Sequence, residues 1–133
     1  MSTTHPFPRD DAETSSYAQE VFAAVDRMDA AGFAGYFAEH GRFVFGNAEP
    51  CVGPAAVRAA VASFFSAIAG LRHEVHAAWH CGDAVVCEVT ATYTRHDGSR
   101  IALPAATVWR GGDSGIEDYR IYADLTPLFQ AAR

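Results

Sequence analysis

Three runs of alternating apolar and polar residues fill the last third of the chain, and they constrain its fold more than any other feature. The runs span residues 84–94, 100–110 and 116–125. Segments 95–99 and 111–115, which are rich in Asp, Gly and Ser, separate them. Asp-Gly and Gly-rich turns between alternating runs are the strongest short-range signal for antiparallel hairpins. The pattern therefore predicts an antiparallel meander with one face that other elements must cover.

Helices upstream supply that cover. Apolar residues at helical spacing predict a helix over about 14–31, with an N-cap among residues 14–16, and one or two further turns before Gly41. A short strand over 42–46 and a loop over 47–53 follow. Pro54 then opens a second long helix, which Gly70 ends, and period two returns over 71–79. This order predicts an α+β fold with a flexible leader, 1–12, and a single domain, 13–133.

Composition excludes several classes of function. The formal net charge is -6, the sequence contains no lysine, and its arginines are scattered, which argues against binding to a phosphate backbone. No apolar run approaches the ~20 residues of a membrane span. The three cysteines, at irregular spacing, match neither a zinc motif nor a disulfide framework, and free thiols predict a cytoplasmic protein. No cofactor is predicted.

Four short segments resemble one known family. They are residues 36–40 (YFAEH), 43–45 (FVF), 53–57 (GPAAV) and 119–125 (YRIYADL). Their order and spacing resemble the SnoaL-like branch of the nuclear transport factor 2-like proteins, whose relatives include ketosteroid isomerase, limonene epoxide hydrolase and scytalone dehydratase. The resemblance implies a cone-shaped barrel, with the N-terminal helices packed in the concave face of a curved, mostly antiparallel sheet. It also implies a deep apolar pocket and a homodimer formed through the outer face of the sheet.

The catalytic positions of these relatives are mostly apolar in this chain. The resemblance places Ala24 and Thr107 where ketosteroid isomerase holds its oxyanion, and the loop after the first strand offers Asn47 and Glu49 for the general base. The positions used by limonene epoxide hydrolase match Phe43, Phe45, Glu88, Thr90 and Ile121. None of these constellations is intact, so the resemblance implies a more apolar pocket and leaves the reaction open.

Glu88 is the first candidate for catalysis. With Thr90 and Thr92 it forms one face of the run 84–94, and alternation alone would leave that face in water. The resemblance implies the reverse, with Glu88 pointing into the cone, and we predict this arrangement. A carboxylate among apolar side chains would suit general acid or base work. The alternative is a glutamate at the rim, paired with an arginine.

A histidine-rich segment, residues 73–81, supplies the second candidate. On a strand His76 and His80 lie ~13 Å apart, too far for one metal ion with ligands at ~2 Å, so no metal is predicted. If Gly82 and Asp83 form the turn, His73 pairs with Thr92 on the face of Glu88. It is then predicted to be the partner of Glu88 in proton transfer. The alternative is a structural histidine at the mouth of the cone.

The remaining predictions concern ligand binding. The side chains predicted to contact a ligand lie on helices and strands facing the cone: Tyr36, Phe43, Phe45, Phe64, Thr90, Leu103, Ala105, Thr107, Trp109, Tyr119 and Ile121. Pro104 suggests a bulge in its strand. Arg120 and Asp124 are predicted to pair or to make dimer contacts, and the alternative for Asp124 is to cap the short turn over 126–129. The predicted function is binding of a small apolar, ring-bearing molecule, with cofactor-independent chemistry of the isomerase, cyclase, dehydratase or hydrolase type. The alternative is a non-catalytic ligand-binding or dimeric scaffold domain.

Overall fold

The computed structural model describes residues 6–130. Within them the chain forms helices α1 (Asp11–Asp26), α2 (Ala30–Ala34) and α3 (Pro54–Ser66), and a 3₁₀ helix (Thr126–Phe129). The strands are β1 (Phe37–Phe45), β2 (Cys51–Val52), β3 (Gly70–Cys81), β4 (Ala84–Thr94), β5 (Arg100–Gly112) and β6 (Gly115–Tyr122). Residues 1–5 of the predicted leader lie outside the described residues. Phe7 is buried, and its N–H donates to the carbonyl of Gly112.

The six strands form one curved sheet in the order β2-β1-β6-β5-β4-β3. Strands β3 to β6 form the predicted meander, and β1 joins it parallel to β6. The α+β prediction is confirmed, although the sheet is not closed into a barrel, because β2 and β3 remain its two edges. The helices pack on the concave face of the sheet. The strand β4 contributes five buried side chains to this face: Val85, Cys87, Val89, Ala91 and Tyr93.

Capping residues set the ends of the first two helices. The Asp10 carboxylate accepts from the N–H of Glu13, so α1 begins before the predicted N-caps. Met28, at φ 57°, turns the chain out of α1, and the Asp29 carboxylate then caps α2. The segment from Phe37 onward was predicted as helix and is instead the start of β1, whose pairing with β6 shifts register before Arg42.

Two other expectations are wrong. The helix α3 ends at Ser66, and Gly70 begins β3 instead of capping the helix. Pro104 causes no bulge, since β4 and β5 pair continuously through Thr90 and Pro104. The β5–β6 pairing begins only at Ala106, so Pro104 has a free side on which the missing N–H of proline is tolerated.

Candidate functional site

A cavity of about 260 Å³ lies between the helices and the concave face of the sheet. This volume is near the lower end of ligand pockets in proteins, about 300–1,000 Å³, and suits a small molecule. Its wall is almost entirely apolar. The aromatic part of the wall consists of eight rings: Phe22, Phe33, Phe43, Phe45, Phe64, Phe65, Tyr93 and Tyr119.

Many of the residues predicted for the site lie in this wall, and others do not. Those in the wall are His73, Phe43, Phe45, Phe64, Ala105, Thr107, Tyr119 and Ile121. Tyr36 is half-buried with its ring against Tyr17. Trp109 is fully buried behind the wall, stacked on Tyr119 at 4.9 Å, and Leu103 belongs to a smaller separate core cluster. Thr90 lies on the outer face of the sheet, where it bonds His76.

The predicted position of Glu88 inside the cone is wrong. Glu88 is exposed, whereas its neighbours Cys87 and Val89 are buried on the concave side. The alternation of β4 therefore predicts the orientation of Glu88 correctly and the resemblance does not, because a strand turns successive side chains to opposite faces. Glu88 has no place in the chemistry of the cavity.

His73 reaches the cavity through a register shift that the sequence does not reveal. The turn at Gly82 and Asp83 is as predicted, since Cys81 pairs with Ala84. A shift between Val75 and Ala77 then moves the pairing by one residue, so His73 pairs with Ala91 instead of Thr92. Since one residue of shift exchanges the two faces of a strand, His73 lies in the cavity wall and Glu88 lies outside.

The partner of His73 is Asp26, the last residue of α1. The imidazole Nδ1 lies 2.6 Å from Asp26 Oδ1, and the backbone N–H of His73 donates to both carboxylate oxygens at 3.0–3.1 Å. Phe22, one helical turn earlier, stacks on the imidazole at 4.8 Å. Because a carboxylate only accepts, Nδ1 carries the proton, and Nε2 of the neutral ring is left as a base. Nε2 has no hydrogen-bond partner among residues 6–130.

Three other polar side chains contribute to the wall. Glu49, in the loop after β1, makes no ion pair or hydrogen bond within the described part of the chain, and Cys51 lies beside it in sequence. Thr107 is 3% exposed, and the partner of its hydroxyl among the described residues is the Cys87 thiol on the paired strand, which bonds weakly. The hydroxyl makes no other hydrogen bond there. Burial raises the pKa of this thiol to about 11, so it stays protonated.

The tyrosines of the wall remain protonated at neutral pH. Burial raises the pKa of Tyr93 to about 12, and it raises the pKa of the fully buried Tyr119 well above its ordinary value. A protonated phenol is a hydrogen-bond donor, so these side chains bring no negative charge to the wall.

The other polar residues considered in the sequence analysis lie outside the cavity. Among residues 6–130, no three potential metal ligands come together; His76 bonds Thr90 at 2.7 Å, and His80 contacts the carbonyl of Pro8. Arg120 pairs with Asp118 at 2.8 Å, so its predicted pairing with Asp124 is wrong. Asp124 instead accepts from the N–H of Thr126 at the start of the 3₁₀ helix.

Asp26 is the candidate site residue that the sequence analysis missed. A signal for it exists, because residues four apart share one face of a helix, and Phe22 and Asp26 therefore both face β3. Glu49 was considered only through the resemblance. Val61 and Phe65 of α3 also lie in the wall, and both belong to the buried, apolar face of that helix.

The chain is an α+β protein with an apolar cavity between its helices and a curved sheet, and His73 in the wall of this cavity is bonded to Asp26. The family model described as SnoaL-like domain matches residues 18–118. The chain belongs to this SnoaL-like domain family. None of the curated protein sequences matches it. In the described range, no helix is long and apolar enough to cross a membrane.

Solved structures with the same fold share little sequence with this chain. A ketosteroid isomerase-like protein from Catenulispora acidiphila, in complex with trimethylamine, is 20% identical, with a TM-score of 0.78 over 85% of this chain and 88% of that one. TerC, co-crystallised with polyporic acid, is 17% identical, with a TM-score of 0.74 over 86% and 93%. An epoxide hydrolase of the LEH-like type from M. tuberculosis is 17% identical, with a TM-score of 0.72 over 88% and 89%.

Proposed function

We propose that the protein binds a small apolar, ring-bearing molecule in the cavity and that His73, held by Asp26, moves a proton to or from it. The observation that carries this proposal is the His73–Asp26 pair in the wall of an otherwise apolar cavity. Two structural relatives carry organic ligands, trimethylamine and polyporic acid, and a third is an epoxide hydrolase. These relatives support a ligand-binding cavity of this kind.

The geometry supports general acid or base chemistry at Nε2 of His73. Asp26 fixes the tautomer and, because it is anionic, stabilises the imidazolium that forms when Nε2 accepts a proton. The His73 side chain is 11% exposed, so its proton would exchange with a ligand in the cavity more readily than with bulk water. Thr107 belongs to the cavity wall and its hydroxyl has only the Cys87 thiol as a partner, so a ligand oxygen that reached the hydroxyl would be a stronger partner.

The test combines a binding screen with a pair of matched histidine variants. Ring-bearing epoxides, enones and alcohols are screened by thermal shift, and any binder is then assayed for turnover. If His73 is the acid or base, H73Q lowers turnover about 100-fold or more while ligand affinity changes little. H76Q, on the outer face, serves as the matched control and keeps full activity. An active H73Q protein would remove His73 from the mechanism.

A second candidate function is non-catalytic binding of the same class of ligand. The observation that favours it is the apolar character of the positions at which relatives carry catalytic groups, such as Phe43, Phe45 and Ile121 in this cavity wall. In that case the wild-type protein binds ligands without turnover, and H73Q changes neither property.

We further propose that the protein is a cytoplasmic homodimer joined through the outer face of the sheet. Trp79 and Tyr122 support this proposal, because they are 47% and 57% exposed on strands of that face. The small or apolar partners Val86 and Ala106 lie beside them in register. Light scattering after gel filtration gives the mass of the particle, and W79E is expected to shift it from twice the chain mass to the chain mass.

A further inference from the structure

We infer that the cavity selects a positively charged apolar ligand, a small organic ammonium ion, over neutral and anionic molecules of the same shape. The inference rests on the proposed ligand-binding function and adds the charge of the ligand to it. Three independent properties of the wall formed by the described residues carry it: its rings, the Glu49 carboxylate and its lack of arginine and lysine.

The rings give the wall an attraction for cations. Eight aromatic side chains line one small cavity, and the face of each ring carries the negative end of its quadrupole. A cation within about 6 Å of a ring centre is attracted by it, the more so where water is excluded. Phe64 is the centre of one such group, with its ring 5.6 Å from that of Phe45 and 6.1 Å from that of Tyr93.

Glu49 supplies a counter-charge at the same end of the cavity as Phe45. The N–H of Ala48 donates to the carbonyl of Phe45 at 3.0 Å, which folds the loop back against the end of β1. Glu49 follows in the wall, where it is exposed and makes no ion pair or hydrogen bond to any residue of the described part. Its carboxylate is therefore available to a ligand.

No positive side chain offsets these groups. The wall formed by the described residues contains no arginine, and the sequence contains no lysine. The one basic group in the wall, His73, is bonded to the Asp26 carboxylate, so the pair is neutral when the imidazole is protonated and negative otherwise. An anionic ligand would lose its hydration in this cavity and would find no arginine or lysine among the described residues of the wall to replace it.

Three probes of nearly equal shape test the inference: trimethylphenylammonium, tert-butylbenzene and benzenesulfonate. Their affinities are measured by ligand-observed NMR titration with the full chain. We expect the ammonium ion to bind about tenfold more tightly than tert-butylbenzene, and benzenesulfonate not to bind measurably. F64L keeps the apolar surface and removes a ring, so it is expected to weaken the ammonium ion alone.

Matched glutamate variants locate the counter-charge. E49Q is expected to lower the affinity for the ammonium ion about threefold and to leave tert-butylbenzene unchanged, whereas E88Q, on the outer face, changes neither. Equal or tighter binding of tert-butylbenzene overturns the inference and leaves the proposed apolar cavity standing. Failure of all three probes to bind overturns the inference together with the proposed function.

Discussion

Replacing Thr107 by valine is expected to stabilise the protein and to weaken ligand binding. The Thr107 side chain is 3% exposed, and within residues 6–130 the partner of its hydroxyl is the Cys87 thiol, which bonds weakly. A buried polar group without a strong partner costs up to about 1–3 kcal/mol, and in this case that cost lies in a strand at the centre of the sheet. Valine has nearly the same shape, carries no hydroxyl and suits a strand at least as well.

The magnitude follows from that cost. If T107V recovers the lower part of the range, the free energy of unfolding rises by about 1 kcal/mol, and the melting temperature of a chain of this size rises by about 3 °C. T107S is the control: it keeps the hydroxyl and loses a buried methyl, so it is expected to be less stable than wild type by about 1 kcal/mol. Urea denaturation followed by tryptophan fluorescence measures all three proteins.

The same variant connects stability with function. A group that is costly in the empty protein but useful to a ligand produces a trade-off between stability and activity. The thermal shift that a bound ligand causes is therefore expected to be smaller in T107V than in wild type. A T107V protein less stable than wild type by 0.5 kcal/mol or more, taken as roughly the scatter of surface substitutions, would show that the hydroxyl is strongly bonded in the folded state and would refute the reasoning.

Three further predictions concern the stability of the wall and of the elements around it. Burial raises the pKa of Tyr93 from 10.0 to about 12, so between these values this phenol ionises only in the unfolded state. The free energy of unfolding of wild type therefore falls by about 1.4 kcal/mol at pH 11 through this group. Urea titrations at pH 8 and 11 are expected to show that Y93F lacks this fall, whereas the control Y122F keeps it. R95A removes bonds to two carbonyls of the 3₁₀ helix and is expected to cost about 1–2 kcal/mol, with faster cleavage of the C-terminus by carboxypeptidase. G53A places a side chain at φ 89°, 3.1 Å from a backbone carbonyl, and thermal unfolding should show a loss of about 1 kcal/mol or more.

The sequence predicts the meander well because its signals are local. The strand β4 has the predicted bounds, 84–94, and the turns at Gly82 and Gly98 have the positive φ that glycine permits. The boundary between α2 and β1 was predicted poorly. Residues 37–40 carry no alternation, and the strand that they open is paired with β6 at Phe37 and again from Arg42, a contact between distant parts of the chain.

The site was predicted less well than the fold, and one bulge accounts for most of the difference. A continuous register would have placed His73 and Glu88 on one face, and the shift between Val75 and Ala77 separates them. A bulge of this kind leaves the composition of the strand unchanged, so alternation in β3 and β4 taken separately does not reveal it. Some aromatic residues of the wall were predicted correctly, because large apolar side chains on a concave face have few other places to pack.

The apolar side chains of the wall and the polar groups at its edges are under different packing constraints. This difference explains why a resemblance predicts the fold of this chain but not its chemistry. The apolar wall is formed by side chains that also hold the helices on the sheet, such as Phe43 and Tyr119, whose rings lie 5.6 Å apart, so their apolar character is required for stability. The polar groups come from places with fewer packing constraints: Asp26 from a helix end, His73 from an edge strand and Glu49 from a loop. Substitution at such places costs little stability, so the chemistry changes while the cone persists. If the proposed function holds, the residues that decide what this protein binds and does are therefore those at the edges of its wall.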